Sequence, residues 1–157
     1  MIRPLFTVAV LALGVAAPAA ANGRMEDTRQ SFYHEVTDAY KDTVKYLEAN
    51  NTNEGAVAVK KLHELMSRLL ESMSYLEKSA REMSPVLEEI WRPVMSAAGA
   101  FNTQAAQLEL LVGEKEFKDN LRVLKDTYER TGTEWERAYE KMKAFGQKFN
   151  QMCDTCR

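Results

Sequence analysis

Residues 117–156 read FKDNLRVLKDTYERTGTEWERAYEKMKAFGQKFNQMCDTC. Within them Phe117, Leu121, Leu124, Tyr128, Thr131, Trp135, Ala138, Met142, Phe145, Phe149, Met152 and Cys156 recur at alternating steps of four and three, and Thr131 is the one polar member. That is a heptad seam along one face of a long helix. The seam runs into Cys153-Asp154-Thr155-Cys156-Arg157.

The same alternation recurs upstream. Val59, Leu62, Met66, Leu69, Met73, Leu76, Ala80 and Met83 predict a helix over about 54–83. Leu87, Trp91, Val94, Ala98, Phe101, Ala105, Leu108 and Val112 predict another over about 85–112. Met25, Phe32, Val36, Ala39, Tyr40, Val44 and Leu47 stripe a first helix over about 25–49. Between them stand Asn50-Asn51-Thr52-Asn53, with Thr52 or Asn53 as the expected cap, and Ser84-Pro85, a Ser cap before Pro at the first helical position. Gly113 ends the third helix, and the fourth is expected to start near Glu114. Pro93 should kink the third helix or split off its first turns.

Short connections make neighbouring helices antiparallel, so the fold class is all-α, an up-down-up-down four-helix bundle with shallow left-handed crossings. Counting from the first turn, residue 50 − k of the first helix opposes residue 115 + k of the fourth. Met25 then lies near residue 140, beside Met142, with Met83 at the same open end. The fourth helix continues roughly ten residues further, about 15 Å. Met152, Cys153 and Cys156 therefore sit at or beyond that end, unless Gly132 or Gly146 bends the helix back.

The first 21 residues read as a secretory signal peptide: a positive start at Arg3, an apolar run from Leu5 to Ala16, and small residues up to Ala21. Cleavage there leaves residues 22–157 as one domain and shifts the formal charge from −2 to −3. The expected location is the periplasm of a Gram-negative source. That charge favours neither nucleic acid nor an anionic membrane as partner, and no later stretch is apolar enough to span a bilayer.

Export places Cys153 and Cys156 in an oxidising compartment, as a disulfide or as holders of a cofactor or metal. A thioredoxin-like role is disfavoured, because the pair follows a helix C-terminus, where the dipole opposes a thiolate. An exported four-helix chain with C-x-x-C closing its last helix resembles the cytochrome c-prime family. The resemblance spans the mature chain in architecture and rests, residue by residue, on Cys153, Cys156 and Arg157. It implies a haem between the helices at this end, thioether-linked to Cys153 and Cys156, serving electron transfer with a redox partner protein or binding a small gas. Position 157 is Arg where the family has its axial His, so the motif is degenerate, and Met25 or Met142 becomes the candidate iron ligand.

Two other readings need no haem. Met25, Met83, Met142, Met152, Cys153 and Cys156 together would suit Cu(I), which favours thioether and thiolate ligands. Alternatively there is no cofactor: the methionines are core filler, the cysteines form a local disulfide, and the overhanging helix docks a partner or a second copy as a homodimer, which predicts Met142, Phe145 and Phe149 partly exposed in the monomer. His34 shares a polar face with Asp38, Lys41 and Lys45 and should be solvated, while His63 flanks the second seam. The small residues at 97–100 allow either close helix approach or a pocket, with close packing the stronger expectation. No nucleophile–base arrangement, phosphate loop or zinc signature appears, and the chain is expected not to be an enzyme.

Overall fold

Two turns reverse the chain through left-handed backbone, at Asn50 (φ 54°) and Gly113 (φ 99°). Asn and Gly tolerate that region at least cost. A third reversal, at Ser84, needs only extended backbone. These turns separate four helices in a computed structural model that describes residues 25–115 and 117–155. Helix α1 covers 25–48, combining an α-helical start, a π-helical segment Phe32–Val36 and an α-helical segment Thr37–Glu48. Helices α2 (Thr52–Met83), α3 (Pro85–Leu111) and α4 (Phe117–Thr155) follow. Residues 1–24, which include the expected signal peptide, residue 116, Cys156 and Arg157 lie outside the described residues.

The helix ends differ in detail from the sequence expectation. Asn51, not Thr52 or Asn53, caps α2, its side-chain oxygen accepting from Glu54 N at 3.3 Å. Ser84 caps α3 as expected, accepting from Val86 N at 3.2 Å ahead of Pro85. Helix α4 starts at Phe117 rather than Glu114, because Gly113 and the turn after it use up the intervening residues. Helix α3 runs unbroken through Pro93, and its first turns are not split off. Pro93 lies on the exposed face, where a carbonyl left without its N–H partner is open to solvent.

Helices α1 and α2, α2 and α3, and α3 and α4 approach closely along their backbones. Helices α1 and α4 stand further apart, and large side chains bridge the gap between them. Arg29 meets Glu136, Tyr33 meets Gly132, and Thr37 meets Tyr128. Residue numbers fall in α4 one for one as they rise in α1, which is the antiparallel register counted from the sequence. The result is an all-α, antiparallel four-helix bundle. Among the described residues no helix is long and apolar enough to cross a membrane.

The seams of α2, α3 and α4 supply most of the core, including Leu62, Met66, Trp91, Phe101, Leu124 and Trp135. Helix α1 departs from a simple stripe. Thr37 and Thr43 are buried, whereas Tyr40 and Val44 are only half-buried. The π-helical turn inserts one residue and rotates the helix after it, so Phe32, Val36 and Thr37 all turn inward. The threonine hydroxyls donate to backbone carbonyls, Thr37 to Phe32 O at 3.0 Å and Thr43 to Ala39 O at 2.8 Å. Burying them therefore leaves no orphan hydroxyl. Ala97 and Ala98 are buried in the helix packing, in line with close approach at that run.

Candidate functional site

The open end of the bundle, where sequence reasoning gathers the sulfur ligands, divides into a filled core and a projecting helix. In the core, Met25 of α1 and Met142 of α4 are both buried; of the residues that the cofactor-free interaction reading expects partly exposed, Met142 is therefore covered by its own bundle, Phe145 is half-buried, and the side chain of Phe149 lies outside the described ones. Met25 and Met142 belong to one buried cluster with Trp135, Phe32 and Trp91. The Trp91 and Trp135 rings meet edge to face at 5.6 Å, and Phe32 lies 6.3 Å from Trp135. Such aromatic contacts stabilise beyond their area, by about 0.5–1.5 kcal/mol each.

Further down the α1–α4 seam, Tyr128 stacks on Tyr40 with ring centroids 3.8 Å apart. Its hydroxyl shares a 2.9 Å hydrogen bond with Thr37 Oγ1. Burial, followed by the neighbouring Tyr128 and Glu129, pushes the Tyr40 phenol up to about 12.

Arg29 closes the seam at its upper level. Its guanidinium lies 4.5 Å from the Tyr139 ring centre and 5.1 Å from that of Tyr33. It pairs with Glu136 at 2.9 Å and with Glu26 at 3.1 Å. Burial alone would raise the Glu136 carboxyl; the Tyr33 hydroxyl and the Arg29 guanidinium outweigh it and hold the group below its ordinary value. Burial and the Glu136 carboxylate push the Tyr33 phenol well up. Two buried donors, Trp135 Nε1 and Arg29 Nε, have no acceptor among the described residues. Sequence reasoning missed Arg29, Tyr33 and Glu136, since charged residues on a helix read as solvated; the i+j constancy of the register was the signal that could have paired them.

The remaining sulfur residues lie elsewhere. Met83 is 40% exposed and Met152 64% exposed, so neither joins Met25 and Met142 in a buried ligand set. Cys153 is described only in its backbone, within α4, and Cys156 lies outside the described residues. Both histidines lie away from this end. His34 is exposed and bonds Gln30 Oε1 at 3.0 Å, and His63 pairs with Glu109 at 2.6 Å across α2 and α3. Among the described residues, no three His, Cys, Asp or Glu side chains come together as a metal site.

Among the described residues, nothing at this end supplies the histidine ligand that the cytochrome resemblance implies. Trp135, Phe32 and Trp91 are buried in ring contact with one another inside the bundle. Helix α4 contains no His. The stretch of α4 that leads to Cys153 departs from the bundle. Burial along one seam shows that departure: Trp135, Ala138 and Met142 are buried, Phe145 is half-buried, and Met152 faces solvent.

Two clefts flank this end. One, between α3 and α4, includes Val86, Ile90, Phe145 and Lys148. The other, between α1 and α2, has a volume of about 460 Å³ and is lined by Asp27, Thr28, Glu71, Ser72, Tyr75 and Leu76.

No protein-family model matches the chain, and no curated protein or solved structure proves similar to it. What stands is the architecture itself: an all-α, antiparallel four-helix bundle whose fourth helix, among the described residues, runs past the ends of the other three.

Proposed function

We propose that this chain is an exported, non-enzymatic interaction module, a haem-free helical stem that engages its partner through the projecting end of α4. The loss of burial along the α4 seam, from Met142 at 3% exposed to Met152 at 64%, carries this reading. A heptad seam that outruns its own bundle is an apolar face awaiting cover. Cys153 and Cys156, three residues apart, would close a local disulfide that restrains the end of that helix. The packed aromatic and thioether core beside it serves as a rigid mount.

The test is to express the full chain in a host that matures c-type cytochromes, then record the visible spectrum and intact mass of the purified protein. The expected product is colourless, with the mass of the apoprotein less two hydrogens. A Soret band with a mass increase of one haem on Cys153 and Cys156 would overturn the proposal. Bound copper that disappears when both cysteines become serine would overturn it in favour of the Cu(I) reading.

A further inference from the structure

The α1–α2 cleft has the chemistry that the projecting helix lacks. Asp27 and Glu71 flank its mouth, and the exposed Tyr75 and the half-buried Leu76 supply an apolar wall. Through Ser72 it continues into a smaller cleft that includes Glu35 and Arg68. Among the described residues, Asp27, Glu35 and Glu71 form no ion pair, unlike Glu26, Glu48, Glu88, Glu109 and Glu136. Among its described lining residues, the groove therefore presents three carboxylates without an ion pair beside the cation of Arg68.

The end of α4 is its complement. Residues 141–152 contain Lys141, Lys143 and Lys148 and no Asp or Glu. Lys141, Phe145, Lys148 and Met152 recur at helical spacing, which puts cationic and apolar groups on one stripe. Lengths match as well. Asp27 to Glu35 spans eight residues of α1, about 12 Å, against roughly 15 Å of projecting helix. Helix α4 cannot reach this groove in its own chain. It is a continuous helix to Thr155, packed against α3 and facing α1 across the opposite seam.

We infer that the projecting end of α4 docks in the acidic α1–α2 groove of a second copy of this chain. Each copy gives one helix end and receives the other, so the contact is isologous and closes at two subunits. Met152 and Phe145 cover the wall formed by Tyr75 and Leu76, while Lys141 and Lys148 of the same stripe face Asp27, Glu35 and Glu71. The inference rests on the interaction-module reading and names its partner.

Sedimentation equilibrium of the mature protein over the micromolar range tests it, with circular dichroism as a check on folding. The wild type is expected to be a dimer that weakens with added salt. Lys141→Glu with Lys148→Glu should raise the dissociation constant by about tenfold or more, and Asp27→Lys with Glu71→Lys should do the same. Combining all four substitutions should restore dimerisation, which a structural defect would not do. A wild type that is monomeric throughout, a dimer indifferent to both pairs, or a combined variant weaker than either pair would overturn the inference. A colourless monomer would overturn this inference alone, leaving the module with a different partner, whereas a haem-bearing product would overturn the reading beneath it.

Discussion

Arg29 and Glu136 face each other across the α1–α4 seam at 2.9 Å, and their pairing fixes the level at which the first and last helices meet. The same guanidinium also lies against the rings of Tyr33 and Tyr139. Its aliphatic stem and its charge are therefore both used. Arg29→Ala should destabilise the fold by about 1–3 kcal/mol, because cation–π contacts and packing are lost together. The double-mutant coupling with Glu136→Gln should be smaller, about 0.5–1 kcal/mol, since the carboxylate is half exposed and screened. Urea unfolding of the two single variants and the double variant measures both quantities. Equal values would mean that the ion pair alone holds the seam.

Acid should loosen that seam first. Tyr33 and Arg29 hold the Glu136 carboxyl below its ordinary value of 4.5. A lowered folded-state value means the contribution is complete above 4.5 and is lost as pH falls through the folded value. The expected outcome is a shallower acid limb in Glu136→Gln than in the wild type, seen in urea unfolding across the acid range. Superimposable limbs would place the acid sensitivity in other carboxylates.

The alkaline limb has a different owner. Burial raises the Tyr40 phenol from 10.0 to about 12. A raised folded-state value stabilises fully below pH 10 and is lost as pH climbs from 10 towards 12. Tyr40→Phe should flatten the loss of stability across that window, and of the two phenols, Tyr33 and Tyr40, whose ultraviolet phenolate absorbance appears late in the wild type, it should remove the earlier one. A Tyr40 that ionises near 10 would mean that its stack with Tyr128 is open to water.

How much of this was legible in the sequence depends on the residue type. The seams of α2, α3 and α4 were, because Leu, Met, Phe and Trp at three-four spacing have few other places to go. The α1–α4 register was too, since counting from a turn needs only the rise per residue. The π-helical insertion at Phe32–Val36 was not legible. Its signature is a buried threonine at position 37, and threonine reads as polar until its hydroxyl is seen to bond a carbonyl. The cap at Asn51 was obscured by a run of four residues all able to cap. Met25 and Met83 looked alike as seam members. One is buried and the other exposed because burial at a bundle end depends on where the neighbouring helices stop, which the pattern within a single helix does not encode.

Two glycines offer a test of packing with opposite signs. Both lie inside helices, where replacing Gly with Ala alone gains about 1 kcal/mol. A Cβ at Gly99 of α3 would meet nothing within 4 Å, so Gly99→Ala should stabilise by most of that amount. A Cβ at Gly55 of α2 would collide with the side chain of Leu47, which is itself fully buried against the core. Leu47 could yield only by leaving its packed position, and overpacking of that kind costs about 1–3 kcal/mol. Gly55→Ala should therefore destabilise on balance, and the two variants should shift the thermal midpoint in opposite directions. If both raised it, the first turn of α2 would have room that the close approach of α1 and α2 denies, and Gly55 would be a matter of chain flexibility rather than of contact.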